Sequence, residues 1–145
     1  MVVQDIKDIN IPKPDKDGYC KAFKVIYSRE IPHYTEYAKE YCNFFKDNCS
    51  LFDYTFVYQV GINIAKHREE FPKEPKKQDL IREGLHLILT LKDAQEWIKM
   101  GYQKVIEVFY KPEDVIAYGF LQGTKTQGVV VKQLTIKALK EVNPC

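Results

Sequence analysis

A chain of 145 residues and 17.0 kDa has room for one domain, and a chain of this size buries roughly 70% of the surface its unfolded form exposes. Its 45% hydrophobic content and its eighteen Tyr and Phe residues exclude the disordered class, which is poor in aromatics and unbalanced in charge. Twenty-two Lys and Arg against twenty Asp and Glu leave a net charge of +2, too small to argue for wrapping nucleic acid or lying on anionic lipid.

Residues 1–17, with Pro12 and Pro14 set among Asp and Lys, lack periodicity and read as an extended N-terminal arm. Residues 18–145 read as a single domain. After Gly18, the stretch Cys20-Lys21-Ala22-Phe23-Lys24-Val25-Ile26-Tyr27 alternates roughly and is predicted to be a strand ended by Ile31 and Pro32. From 34 to 46, Tyr37, Ala38, Tyr41, Cys42 and Phe45 recur at three and four, the spacing of an amphipathic helix, and Asp47-Asn48 should stop it. The β-branched and aromatic residues 56–60, ending at Gly61, predict a buried strand, as does the apolar run 85–89 between Gly84 and Thr90.

Between those two runs, the Lys-rich segment 66–77 also carries Glu69, Glu70 and Glu74 and reads as a solvated loop. Thr90 can cap a short helix through Asp93, with Ala94, Trp97 and Ile98 on its buried face and Gly101 closing it. Gln103–Tyr110 and Val115–Phe120 are strand-like and are separated by the turn Lys111-Pro112-Glu113-Asp114. A second turn at 123–128 leads into 129–139, predicted to be one long final strand. Five to six strands and two helices out of regular alternation predict an α+β fold with a largely antiparallel sheet.

No stretch approaches the ~20 apolar residues that span a bilayer, and the N-terminus has no signal-peptide pattern, so neither a membrane span nor classical secretion is expected. Cys20, Cys42, Cys49 and Cys145 form no Cys-x-x-Cys pair and predict free thiols in a reducing compartment.

Four of these segments, taken together, carry a family resemblance. They are Cys20-Lys21-Ala22-Phe23-Lys24-Val25-Ile26, the strand Phe56-Val57-Tyr58-Gln59-Val60-Gly61, Gly84-Leu85-His86 with the helix from Thr90 to Trp97, and the segment 129–139. The combination resembles an uncharacterised domain of large DNA viruses that often accompanies pentapeptide repeats, and it covers roughly residues 18 to 140. The chain departs from that pattern: Leu87 stands after His86 where the family tends to have Phe, Arg82-Glu83 precede Gly84 in place of a Cys, and Val131-Lys132 replace an expected Cys-Arg pair. Pentapeptide repeats are missing. The resemblance implies a viral origin and an unassigned role, and it transfers no catalytic residue.

His86 stands out because Leu85, Leu87 and Leu89 take one face of its strand and leave His86, Ile88 and Thr90 on the other, covered face. A buried imidazole needs partners, either structural ones such as a backbone carbonyl or carboxylate, or a substrate. The enzyme reading joins His86 to Tyr58 and Glu107, polar members of apolar strands, as a set similar in residue types to the His-Tyr-Glu of some ADP-ribosyltransferases. Cys42, Cys49 and His33 could in principle supply zinc ligands, but structural zinc sites usually show closely paired cysteines, so no metal and no cofactor are expected. Ser28 and Ser50 lie in no nucleophile turn, and the glycines around 119–128 lack a phosphate-binding pattern.

Ten tyrosines exceed what one small core needs, and tyrosine suits interfaces where a ring is buried and its hydroxyl stays wet. Tyr34, Tyr37, Tyr102 and Tyr118 are the candidates for contact. The expectation is a non-enzymatic viral protein acting through protein contacts, as a minor virion component with viral structural proteins as partners, in host cytoplasm or virion. The alternatives are the ADP-ribosyltransferase-like enzyme and a small-ligand-binding accessory protein that counters host defence.

Overall fold

The computed structural model describes residues 1–28, 47–51, 56–98 and 103–142. Among them are β1 (Val2–Val3), β2 (Cys20–Tyr27), β3 (Gly61–Ile64), β4 (Leu85–Ile88), helix α1 (Leu91–Glu96), β5 (Gln103–Tyr110), β6 (Val115–Phe120), β7 (Gln127–Val131) and β8 (Gln133–Ile136), with single 3-10 turns at Ile6–Asp8, Arg68–Glu70 and Pro112–Asp114. The eight strands form one sheet in the order β1-β6-β7-β4-β2-β5-β8-β3, and every neighbouring pair is antiparallel. The expected α+β class with two helices is therefore corrected: the described residues are predominantly β, with one α-helix of six residues. The helix expected over 34–46 lies outside the described residues.

Both faces of the sheet are covered, and strand alternation assigns side chains to them. Ala22, Ile26, Leu85, Leu87, Ile106, Val108, Tyr110, Val129 and Val131 pack with Tyr58 and Ile9 into a first core. Val25, Ile88, Val105, Ala117 and Val130 pack on the opposite side with Met1, Val3, Ile81 and Leu121, and Ala94 of α1 seals that layer. The helix starts as expected, with the Thr90 hydroxyl accepting from the Asp93 amide at 3.2 Å. It ends at Glu96 with Trp97 as the cap, and the Trp97 indole N–H donates to the Thr126 hydroxyl at 3.2 Å.

Two sequence expectations shift. The segment 129–139 is not one strand, because Lys132 interrupts it and switches its parity. Val129 and Val131 reach the first core from odd positions, while Leu134 and Ile136 reach it from even ones. An unbroken strand would have placed Gln133 and Thr135 inside, so the break restores the apolar face. The strand expected at 56–60 is displaced as well: only Val57 forms a bridge there, to Cys49, and the regular strand starts at Gly61, whose φ is +101°. The Asn63 carboxamide folds the intervening bend by accepting from the Gln59 amide at 2.9 Å and donating to the Gln59 carbonyl at 2.8 Å.

The first residues, read as an arm, enter the sheet. Val2 pairs with Phe120 and Val3 with Gly119, and the other side of β1 is covered by 78–81 through bonds from Gln78 to the Val3 carbonyl and from Val3 to the Asp79 carbonyl, both at 2.8 Å. Among the described residues no helix is long and apolar enough to cross a membrane.

Candidate functional site

His86 sits on β4 opposite Val130 of β7, on the face away from Leu85 and Leu87. Its Nδ1 is 3.1 Å from the Gly84 carbonyl, and its Nε2 is 3.1 Å from the Ile81 carbonyl and 3.5 Å from the Met1 amine. That amine already donates to Ile81 at 2.7 Å. A neutral ring carries one N–H and so donates to one of these two carbonyls at a time. Burial, with Lys24 nearby, lowers the imidazole pKa to about 4. The ring thus ties β4 to residues 81 and 1 as a neutral hydrogen-bonding strut.

Lys24 is the residue that the sequence reading passed over. It stands on β2 between Ala22 and Ile26, both fully buried in the first core, and is itself only 3% exposed. Its ammonium donates to the His86 carbonyl at 2.7 Å and lies 5.5 Å from the centre of the Tyr58 ring. Burial lowers its pKa to about 7. Tyr58 is buried against Phe56, ring centres 4.9 Å apart, and its amide donates to the Asn48 carbonyl at 2.9 Å. Lys24, Tyr58, Ser50 and Phe56 line a small cavity of about 90 Å³ that His86, Lys66, His67, Arg82 and Glu83 also border.

Glu107 does not join them. It alternates with the first-core residues Ile106 and Val108 and so points to the opposite face from Tyr58, where its carboxylate is 3.4 Å from the Lys21 ammonium. The cavity takes in Tyr58 and the backbone of His86, whose imidazole lies on the other face, and it leaves Glu107 outside. The three side chains make no common acid-base centre.

Of the tyrosines singled out for contact, Tyr34, Tyr37 and Tyr102 lie outside the described residues. Tyr118 faces inward instead of acting as a free surface ring, its hydroxyl 3.0 Å from that of Tyr110 at the edge of the first core. Burial raises the pKa of both phenols, so both stay protonated. Cys20 closes this corner, its thiol donating to the Pro12 carbonyl at 3.5 Å and held protonated by burial. Cys49 is buried. Cys42 and His33, the other candidates for zinc, lie outside the described residues.

The exposed apolar side chains gather elsewhere, at the end of the sheet. Val60 and Ile62 are each 60% exposed and Ile64 is 50% exposed, all at even positions on or beside β3. Among the described residues β8 is the one strand that pairs with β3. The segments 56–68 and 132–140 that build this edge contain Lys66, Arg68, Lys132, Lys137 and Lys140, all exposed, and no Asp or Glu.

Comparison with family models, with curated proteins and with solved structures gives no match to this chain. The viral-domain resemblance therefore rests on the residues that carry it.

Proposed function

We propose that this protein works by protein contact and not by catalysis, as a small component of a viral assembly, and that its contact surface is the β3 edge. The observation that carries the reading is the outward row Val60, Ile62 and Ile64 on an edge strand that has no Lys, Pro or bulge to discourage pairing. Proteins commonly blunt such edges, and an unblunted one accepts an added strand. The occupant fitted to this edge is an extended segment of another protein with alternating aliphatic residues and acidic flanks. Main-chain bonds to β3 would hold it, Ile62 and Ile64 would select its side chains, and the surrounding cations would select its charge. The family resemblance supplies the viral setting, and the separation of Glu107 from His86 and Tyr58 weakens the enzyme alternative.

The test uses two synthetic peptides with the same alternating Val-Thr centre, one flanked by Asp and Glu and one by Lys, titrated into the isotopically labelled protein. The acidic peptide is expected to shift amide resonances of β3 and β8, with binding that weakens as salt rises and is lost in Ile62→Lys. Equal binding of the Lys-flanked peptide, or shifts away from β3, would overturn the reading. Self-pairing of β3 in place of peptide binding, seen as a dimer by native mass spectrometry, would overturn the choice of occupant.

A further inference from the structure

We infer that a second cavity, between the N-terminal arm and β6, binds a neutral, largely hydrocarbon molecule that carries one hydrogen-bonding group, of the class of the aromatic alcohols. The space is about 500 Å³ in volume, which falls within the range of small-molecule sites. Four stretches of chain meet around it: residues 3–14, the start of β2 at Cys20, the loop at Pro75, and the stretch from Pro112 to Tyr118. The β3 edge takes no part in it.

Two features of the wall set the chemistry of the occupant. The first is charge. Lys, Arg, Asp and Glu make up 29% of the chain, yet among the described residues that line the cavity there is no charged side chain and no histidine. A carboxylate or ammonium entering it would leave water without meeting a counter-ion, whereas a hydrocarbon gains by the same transfer. The second is proline. Pro12, Pro14, Pro75 and Pro112, four of the seven in the chain, line the space from three separate places. Each fixes its φ and brings no N–H, so the wall is stiff and has no amide donors at those points to keep hydrated. Ile6, 65% exposed, and Ile11, 39% exposed, also line it and hold apolar surface in water that an occupant would cover.

One corner supplies the polar contact. Cys20 and Tyr118 line the cavity, and both neighbour the buried Tyr110, whose hydroxyl is 3.0 Å from that of Tyr118. The Cys20 thiol donates to the carbonyl of Pro12, another lining residue. Burial keeps the phenols and the thiol protonated, so this corner is polar but uncharged. A hydroxyl can donate once and accept twice, and the bond to Tyr110 uses one of these three positions at Tyr118. An alcohol can take another, in either direction, while its rings lie against the prolines.

Naphthol, naphthalene and naphthoate share one ring system and differ in the polar group, and each would be titrated into the full chain at neutral pH, with amide shifts and the unfolding temperature as readouts. Naphthol is expected to shift the amides of Ile6, Ile11 and Tyr118 and to raise the unfolding temperature. Naphthalene should reach the same place more weakly, and the naphthoate anion should bind about tenfold or more below naphthol, having no counter-ion there. Tyr118→Phe keeps the ring and removes the hydroxyl, so it should weaken naphthol about three- to tenfold and leave naphthalene unchanged. Ile6→Lys changes an exposed position, with folding checked by its amide spectrum, and should weaken both neutral ligands. The inference is overturned if naphthoate binds as tightly as naphthol, if the shifted amides lie away from the cavity, or if both variants, folded, bind as the parent does. Shifts at the same amides on raising the protein concentration alone would give the space to a second copy of the chain and overturn it as well.

Discussion

Two bases converge on one peptide unit at His86: the imidazole is on one side of the sheet, while the carbonyl of the same residue accepts from Lys24 on the other. Both are held toward their neutral forms by burial, which makes stability depend on pH in a single direction. His86 has a pKa of about 4 in the folded chain against 6.5 when exposed. Between those values the unfolded chain binds a proton that the folded chain refuses, so stability falls as pH drops from 6.5 to 4. The loss is at most about 3 to 4 kcal/mol. Lys24 acts in the same sense at higher pH, its folded pKa of about 7 against 10.5 giving stability that increases as pH rises through that range. Urea titrations from pH 4 to 10 are expected to show both limbs, and His86→Asn should flatten the acid limb alone. An unchanged acid limb in that variant would refute the assignment to His86.

The sequence exposed half of this arrangement. Alternation of Leu85, Leu87 and Leu89 placed His86 on the other face, and its partners there are backbone carbonyls, which no side-chain pattern can announce. Lys24 stood at an inward position between Ala22 and Ile26, a legible clue, but lysine is so seldom buried that composition argues against reading it so.

Elements that form from local signals were legible, and those set by partners were not. β2, β5 and β6 run over the residues that their alternation and flanking turns predicted, and α1 opens at its Thr90 cap. The break at Lys132 was illegible because a parity change is visible only once the two halves are seen to pair with different strands, β7 with β4 and β6, and β8 with β3 and β5. Likewise β1 is two residues long and owes its existence to β6. Gly119 makes that pairing possible, since a methyl group there would run into the Val2 carbonyl and crowd Val3. Gly119→Ala is expected to destabilise the protein by about 1 to 3 kcal/mol, the range for overpacking. Hydrogen exchange should locate the effect, with the amides of Val3 and Gln78 losing protection first. Retained protection at both would mean that the chain absorbs the methyl group elsewhere.

For the whole molecule, the near-zero net charge conceals an uneven distribution along the chain, the segments 56–68 and 132–140 carrying Lys and Arg but no Asp or Glu. The order of the strands has a further consequence during synthesis. Of the seven described strand pairings, only β2 with β4 joins residues made before β5 emerges from the ribosome. β1 waits for β6, and β3 for β8, some seventy residues later. Non-local pairing of this kind slows folding, to the millisecond-to-second range typical of all-β domains. A nascent chain therefore carries Val60, Ile62 and Ile64 without β8 through about half of translation. Slowing translation should lengthen that exposure and lower the soluble yield, whereas Ile62→Lys should protect it, and pulse-labelled fractionation of the two chains would show the difference.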